Sequence, residues 1–266
     1  MFKRIYANGC SFTCAGGLDD KNIRKKYKEI LDINLEDDYI QYAYPNIVAK
    51  KLNLSITNES QSGGSVNRVI RKTYEYVYKN SSTISETLFI LELPPMWREE
   101  IYSNEFNRVL NICPATITDP DSGIPAAFNG YKTNDIKNLS KNLQSYFYNF
   151  INVEFEYKKS MNNLLGLLHF LKNNNIRFVL IDNCFFEKFL RENNLNTNLS
   201  INFNNEFDFI SFSDIAMYVW FSENKMTIND ELGINMDGHA GYYGNQKIAS
   251  IVFDYIRNKK LSKIII

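Results

Sequence analysis

Four stretches, at 4–7, 54–58, 87–93 and 176–182, read as apolar runs of inner strands, and each is far too short to cross a bilayer. Runs of this kind belong to strands covered on both faces, which is how the strands of a parallel sheet read. Helical spacing fills the intervals. Residues 42–52 carry Ile47, Val48 and Leu52 with Pro45 in the first turn, and 66–78 repeat Val69, Ile70, Tyr74 and Val77. A longer helical pattern over 143–171 ends in Leu164, Leu165, Leu167, Leu168 and Leu171 and breaks at Asn173-Asn-Asn175, before the fourth run. A fifth strand is expected near 207–212. A last helix over 245–257 presents Ile248, Ile251, Val252 and Tyr255 on one side. Strand, helix, strand, helix implies right-handed crossovers and an α/β class: a three-layer α/β/α sandwich around a parallel sheet of about five strands.

With 266 residues, 44% of them hydrophobic, the chain can bury one substantial core. We expect one domain over 1–266, with two insertions that the scaffold does not need. These are 97–135, which contains Asp119-Pro-Asp-Ser-Gly-Ile-Pro125, and the Asn-rich 192–206. Both are expected to be surface loops, of the length that usually forms lids or binding loops. The charged stretch 16–38 is expected to form a short helix. Thirty basic and thirty acidic side chains cancel, so nothing pulls the chain as a whole toward nucleic acid or an anionic membrane. Four scattered cysteines make no disulfide framework, and Cys10 and Cys14 lack a second pair or a nearby histidine for zinc. Without a signal segment or an apolar span, a cytoplasmic location is expected; export by another route and association with a virion stay open.

The chemistry gathers at the two ends. In Lys3-Arg-Ile-Tyr-Ala-Asn-Gly-Cys-Ser-Phe-Thr13 a strand breaks at Gly9 onto Ser11, the place of a nucleophile at the carboxyl end of the first strand. The glycine is expected to adopt a backbone turn closed to other residues. A serine needs a base, and the chain has two histidines. His169 falls inside a leucine-rich helix and reads as structural. His239 lies in Asn235-Met-Asp-Gly-His-Ala-Gly241, a turn-rich segment before the last helix, two residues after Asp237. Gly63 and Gly64, ahead of a helix start at Ser65, can turn the backbone with bare N–H groups toward a developing oxyanion. Cys10 is expected to point into the sheet packing.

Gly9-Cys-Ser-Phe-Thr13, Gly63-Gly-Ser-Val-Asn67 and Asp237-Gly-His239, in this order, resemble the sequence blocks of the SGNH, or GDSL-like, hydrolase superfamily, in a variant found among bacteria and phages. The resemblance spans nearly the whole chain and implies a flavodoxin-like fold and ester hydrolysis without metal or other cofactor. It assigns Ser11 as nucleophile, His239 as base and Asp237 as the residue that orients it. The N–H groups of Ser11 and of Gly63 or Gly64 would be the oxyanion donors. The implied partner is a small-molecule or glycan ester, an O-acetylated carbohydrate foremost; oligomeric state is not implied. Two departures stand out. The superfamily places Asp three residues before His, where this chain has Met236, so Asn235 or a distant carboxylate stays open as the orienting group. The third block, Gly-x-Asn-Asp with an oxyanion-binding asparagine, is replaced by Leu91-Glu-Leu-Pro-Pro-Met-Trp-Arg-Glu99. Loss of one such donor costs about two to three orders of magnitude in turnover. Asn67, Arg98 or a lid residue could substitute, and Arg98 could instead bind an anionic part of the substrate. A catalytically weak glycan-binding protein and an acyltransferase using the same serine are the competing functions.

Overall fold

The computed structural model describes residues 2–95, 98–104, 108–112, 145–146, 149, 152–182, 209–211, 217–235 and 237–258. Five parallel strands, β1 (Arg4–Asn8), β2 (Ser55–Asn58), β3 (Thr87–Leu93), β6 (Arg177–Asp182) and β7 (Phe209–Ser211), form one sheet in the order β2-β1-β3-β6-β7. Between β3 and β6 lie β4 (Glu99–Ser103) and β5 (Arg108–Ile112), an antiparallel pair.

Period-two alternation sorts the side chains of the inner strands into two cores. Tyr6, Phe89, Leu91, Phe178 and Leu180 face α3 (Val66–Lys79) and α4 (Val153–Asn173). Ile5, Ala7, Leu88, Ile90, Val179 and Ile181 face α2 (Tyr44–Leu52) and α7 (Tyr242–Asn258). The result is the expected three-layer sandwich. Leu164, Leu167, Leu168 and Leu171 of α4 are all fully buried. At roughly 1.5–3 kcal/mol for each buried leucine, this stripe is enough to dock the helix on the sheet. A third cluster packs α1 (Lys21–Leu31) against α6 (Ile228–Leu232) through Ile23, Tyr27, Ile228 and Leu232. A further helix, α5 (Met217–Glu223), adds Phe221 to the second core.

Three expectations change. The second strand is a sheet edge rather than a doubly covered strand, with Ser55 and Thr57 exposed and Ile56 half-buried. The insertion 97–135 is not all loop, because β4 and β5 occupy its first part; 113–135, and the whole of 192–206, lie outside the described residues. His169 is on α4 as expected but at an exposed position. No helix of the described residues is long and apolar enough to cross a membrane.

Candidate active site

The first strand carries the chain to Asn8, whose Oδ1 accepts the Gly9 N–H at 2.9 Å and whose Nδ2 donates to the Tyr6 hydroxyl at 3.0 Å. A tight loop follows. The Cys10 carbonyl accepts the N–H groups of Thr13 (3.1 Å) and Cys14 (3.2 Å), and the Ser11 carbonyl accepts that of Gly16 at 2.6 Å. Gly9 is needed here for room and not for a left-handed backbone, which among the described glycines is found only at Gly17, Gly63 and Gly233. A Cβ on Gly9 would lie 2.3 Å from Thr13 Oγ1 and 2.5 Å from Glu92 Oε2. Close approach of a neighbouring strand's side chain therefore replaces the expected backbone reason.

Ser11 is 4% exposed, and its Oγ donates to Cys10 Sγ at 3.9 Å. Its N–H has no hydrogen-bond partner among the described residues, so it is free to receive charge. Cys10 is fully buried and its thiol donates to Glu92 Oε1 at 3.1 Å. Burial, and then the charge of Glu92, pushes that thiol far above the ordinary cysteine range, which removes it as a nucleophile.

At the other end, Asp237 Oδ1 accepts both the His239 backbone N–H, at 2.8 Å, and the ring Nδ1, at 2.5 Å. The two-residue spacing therefore still yields an aspartate–imidazole bond, because one carboxylate oxygen bridges the backbone and ring of the same residue. A carboxylate only accepts, so the proton sits on Nδ1 and Nε2 is left as the basic nitrogen. Burial works to raise the Asp237 carboxyl, but the ring bond, the ring's charge and the backbone N–H outweigh it and hold the carboxyl below its ordinary value. The segment is tied down by its own main chain. Ile228 N–H donates to the His239 carbonyl (2.9 Å), Asn229 N–H to that of Asp237 (3.2 Å) and Gly241 N–H to that of Met226 (3.0 Å). Asn229 Oδ1 accepts the Asp237 N–H at 2.6 Å.

These two loops lie against one another. The His239 ring is 5.4 Å, centroid to centroid, from Phe12, which itself stacks on Phe221 at 5.7 Å. A Cβ on Gly17 would come within 2.8 Å of Asp237 Oδ2. No hydrogen bond joins Ser11 Oγ to His239 among the described residues, since the hydroxyl is turned to Cys10. Proton transfer requires the serine to leave that sulfur for the imidazole; in many enzymes such contacts shorten only around bound substrate.

The diglycine turn borders the serine loop, with the Gln61 N–H on the Gly9 carbonyl at 3.3 Å. Gly64 N–H is engaged by the Gln61 carbonyl at 2.9 Å, closing a turn in which Gly63 has φ +75°. That leaves the Gly63 N–H without a partner among the described residues, and so makes it the better donor of the pair. Asn67 is turned elsewhere: its Nδ2 donates to Glu99 Oε2 and its Oδ1 accepts from Asn163 Nδ2, each at 3.4 Å. Arg98 is half-buried, donates from Nη1 to the Gly64 carbonyl at 3.4 Å, and forms no ion pair among the described residues. Glu92 enters the site from β3, where its one sign in the sequence is to be a lone carboxylate in an otherwise apolar strand. Asn58 enters it from β2, its Nδ2 donating to the Thr13 carbonyl at 3.2 Å, with no sign in the sequence that sets it apart.

No family model matches the chain, and no curated protein matches it. Among solved structures it is similar to the psychrotrophic esterase EstA from Pseudoalteromonas sp., solved inhibited by monoethylphosphonate, at 12% identity and a TM-score of 0.46, covering 96% of this chain and 97% of that one. It is also similar to a protein described as lipolytic, of the G-D-S-L family, from Desulfitobacterium hafniense, at 6% identity and a TM-score of 0.47, covering 95% and 99%. A third is a carbohydrate esterase whose active site displays divergent catalytic and non-catalytic binding functions, at 14% identity and a TM-score of 0.44, covering 99% of this chain and 70% of that one.

Proposed function

We propose that this chain is an SGNH-type serine ester hydrolase whose substrate is an O-acetylated carbohydrate or a related small ester. The observation that carries the reading is the juxtaposition of the Ser11 loop with an imidazole already bonded to an aspartate, Asp237 Oδ1 to His239 Nδ1 at 2.5 Å, with Phe12 against the ring. In the reaction, Ser11 Oγ attacks the acyl carbonyl as its proton passes to His239 Nε2. The N–H groups of Ser11 and Gly63 receive the oxyanion, and Asp237 stabilises the imidazolium. Collapse of the tetrahedral adduct releases the alcohol with the proton held on His239. Water then attacks the acyl-serine, His239 takes its proton, and the acid leaves with Ser11 restored. Arg98, at the edge of the diglycine turn, binds a polar or anionic part of the ester.

The test is hydrolysis of a chromogenic acetyl ester by the wild type and by Ser11→Ala. Loss of about six orders of magnitude in kcat on removal of the nucleophile supports the reading. Activity that survives the substitution overturns it. The resting contact of Ser11 with Cys10, together with the engaged Asn67, favours a slow enzyme or a glycan-binding protein as the second reading. Binding of acetylated glycan without turnover by the wild type would select the binder, and product formed only with an added sugar acceptor would select acyl transfer.

A further inference from the structure

Glu92 stands near the end of the central strand β3 and is fully buried. Asn8 pairs with Leu91, so Glu92 falls beside Gly9, in the space that a side chain there would fill. Its Oε2 accepts the Cys10 N–H at 3.1 Å and the Thr13 hydroxyl, while Oε1 accepts the Cys10 thiol at 3.1 Å. The Thr13 hydroxyl also meets the Tyr44 hydroxyl at 3.3 Å. Burying a carboxylate is costly, and an apolar side chain of similar volume would usually serve stability as well or better. What the carboxylate does here, and a leucine could not, is take three donors from the residues on either side of Ser11.

We propose that Glu92 is a positioning residue for the nucleophile: by gripping Cys10 and Thr13 it fixes the backbone before and after Ser11, and by holding the Cys10 thiol it fixes the atom on which the serine hydroxyl rests. The proposal builds on the serine-hydrolase reading above and gives a role to the strand end where the Gly-x-Asn-Asp block is absent. The carboxylate acts through the turn and touches no reacting atom.

The experiment compares wild type, Glu92→Gln and Glu92→Ala with a fluorophosphonate, which labels an activated serine without knowledge of the natural ester. Glutamine keeps the size and one acceptor oxygen; alanine removes the grip altogether. The expected result for Glu92→Gln is a maximal labelling rate lower by about ten- to a hundredfold, the scale of an ångström-sized misplacement, with the half-saturating concentration of label unchanged. Should Glu92→Ala fail to fold, Glu92→Gln carries the test alone. A merely structural role would lower the melting temperature and leave the labelling rate per folded molecule at the wild-type value, and that result overturns the proposal. A wild type that takes no label at Ser11 defeats the serine-hydrolase reading itself, a failure distinct from equal labelling of wild type and variant.

Discussion

The loop that carries Ser11 and the loop that carries His239 are held by different means. The serine loop is buried and gripped by side chains from other strands and helices: Glu92 from β3, Asn58 from β2 and Tyr44 from α2. The histidine loop is a third exposed at the ring and is held mainly by its own main chain, which pairs with the residues just before and within α6. Side-chain grips reach across the sheet and depend on register, whereas main-chain bonds are local and indifferent to which side chains surround them. The serine loop should therefore be sensitive to remote substitutions, and the histidine loop chiefly to substitutions in its immediate neighbourhood.

The largest effect expected after loss of the nucleophile belongs to the histidine loop. Asp237→Asn should lower kcat by about four orders of magnitude with the melting temperature little changed, because it alters the ring's tautomer and orientation while the main-chain bonds remain. A variant retaining wild-type kcat would mean that some other group orients His239. Next comes the serine loop's reliance on distant side chains. Asn58→Ala removes the donor to the Thr13 carbonyl and should cost about 1–3 kcal/mol in denaturant unfolding, along with a measurable loss of turnover. Stability and turnover both unchanged would break the contrast. Thr227→Ala should cost less, about 1 kcal/mol, since Thr227 caps α6 in a reciprocal capping box with Asp230 beside the histidine loop. Its turnover should hold if the main-chain bonds suffice.

The smallest effect on activity lies outside both loops and separates stability from turnover. Glu99 faces Glu156 and Lys159 of α4 and the amide of Asn67 on α3. Burial, reinforced by Glu156 and opposed by Lys159, pushes its carboxyl up to about 7. In the unfolded chain the same group ionises near its ordinary 4.5. The folded state thus keeps a proton that the unfolded state has lost, and the associated stability is full below that ordinary value and drains away as pH rises toward 7. Glu99→Gln should flatten this decline in a melting series from pH 5 to pH 8. A decline identical to the wild type's would show that other groups cause it.

What the sequence made legible follows the same contrast. The inner strands β1, β3 and β6 announce themselves as apolar runs, and Ser11, Asp237 and His239 sit at breaks where turn residues mark the chain. The edge strand β2 carries its own sign, since Leu54-Ser-Ile-Thr57 alternates apolar and polar as a strand covered on one face does. The β4–β5 pair was hidden by the prolines that flank it, Pro94 and Pro95 before and Pro114 after, which signal loop more strongly than Ile101 and Val109 signal strand. Glu92 shows in the sequence only as a lone carboxylate in an apolar run, and its role has no reading until register sets it opposite a glycine. Asn67 follows the diglycine closely in sequence, yet its amide is taken by Glu99, a partner that only the β4–β5 pair brings near.

The gap left by Gly9 and the carboxylate that fills it form a single steric unit shared by two strands. Enlarging the first position must evict the second, and shortening the second leaves a hollow that a larger first residue could occupy. Lineages descended from a common ancestor should accordingly change these two positions together or not at all, a pattern of paired inheritance that would be visible in an aligned set of sequences before any protein was purified.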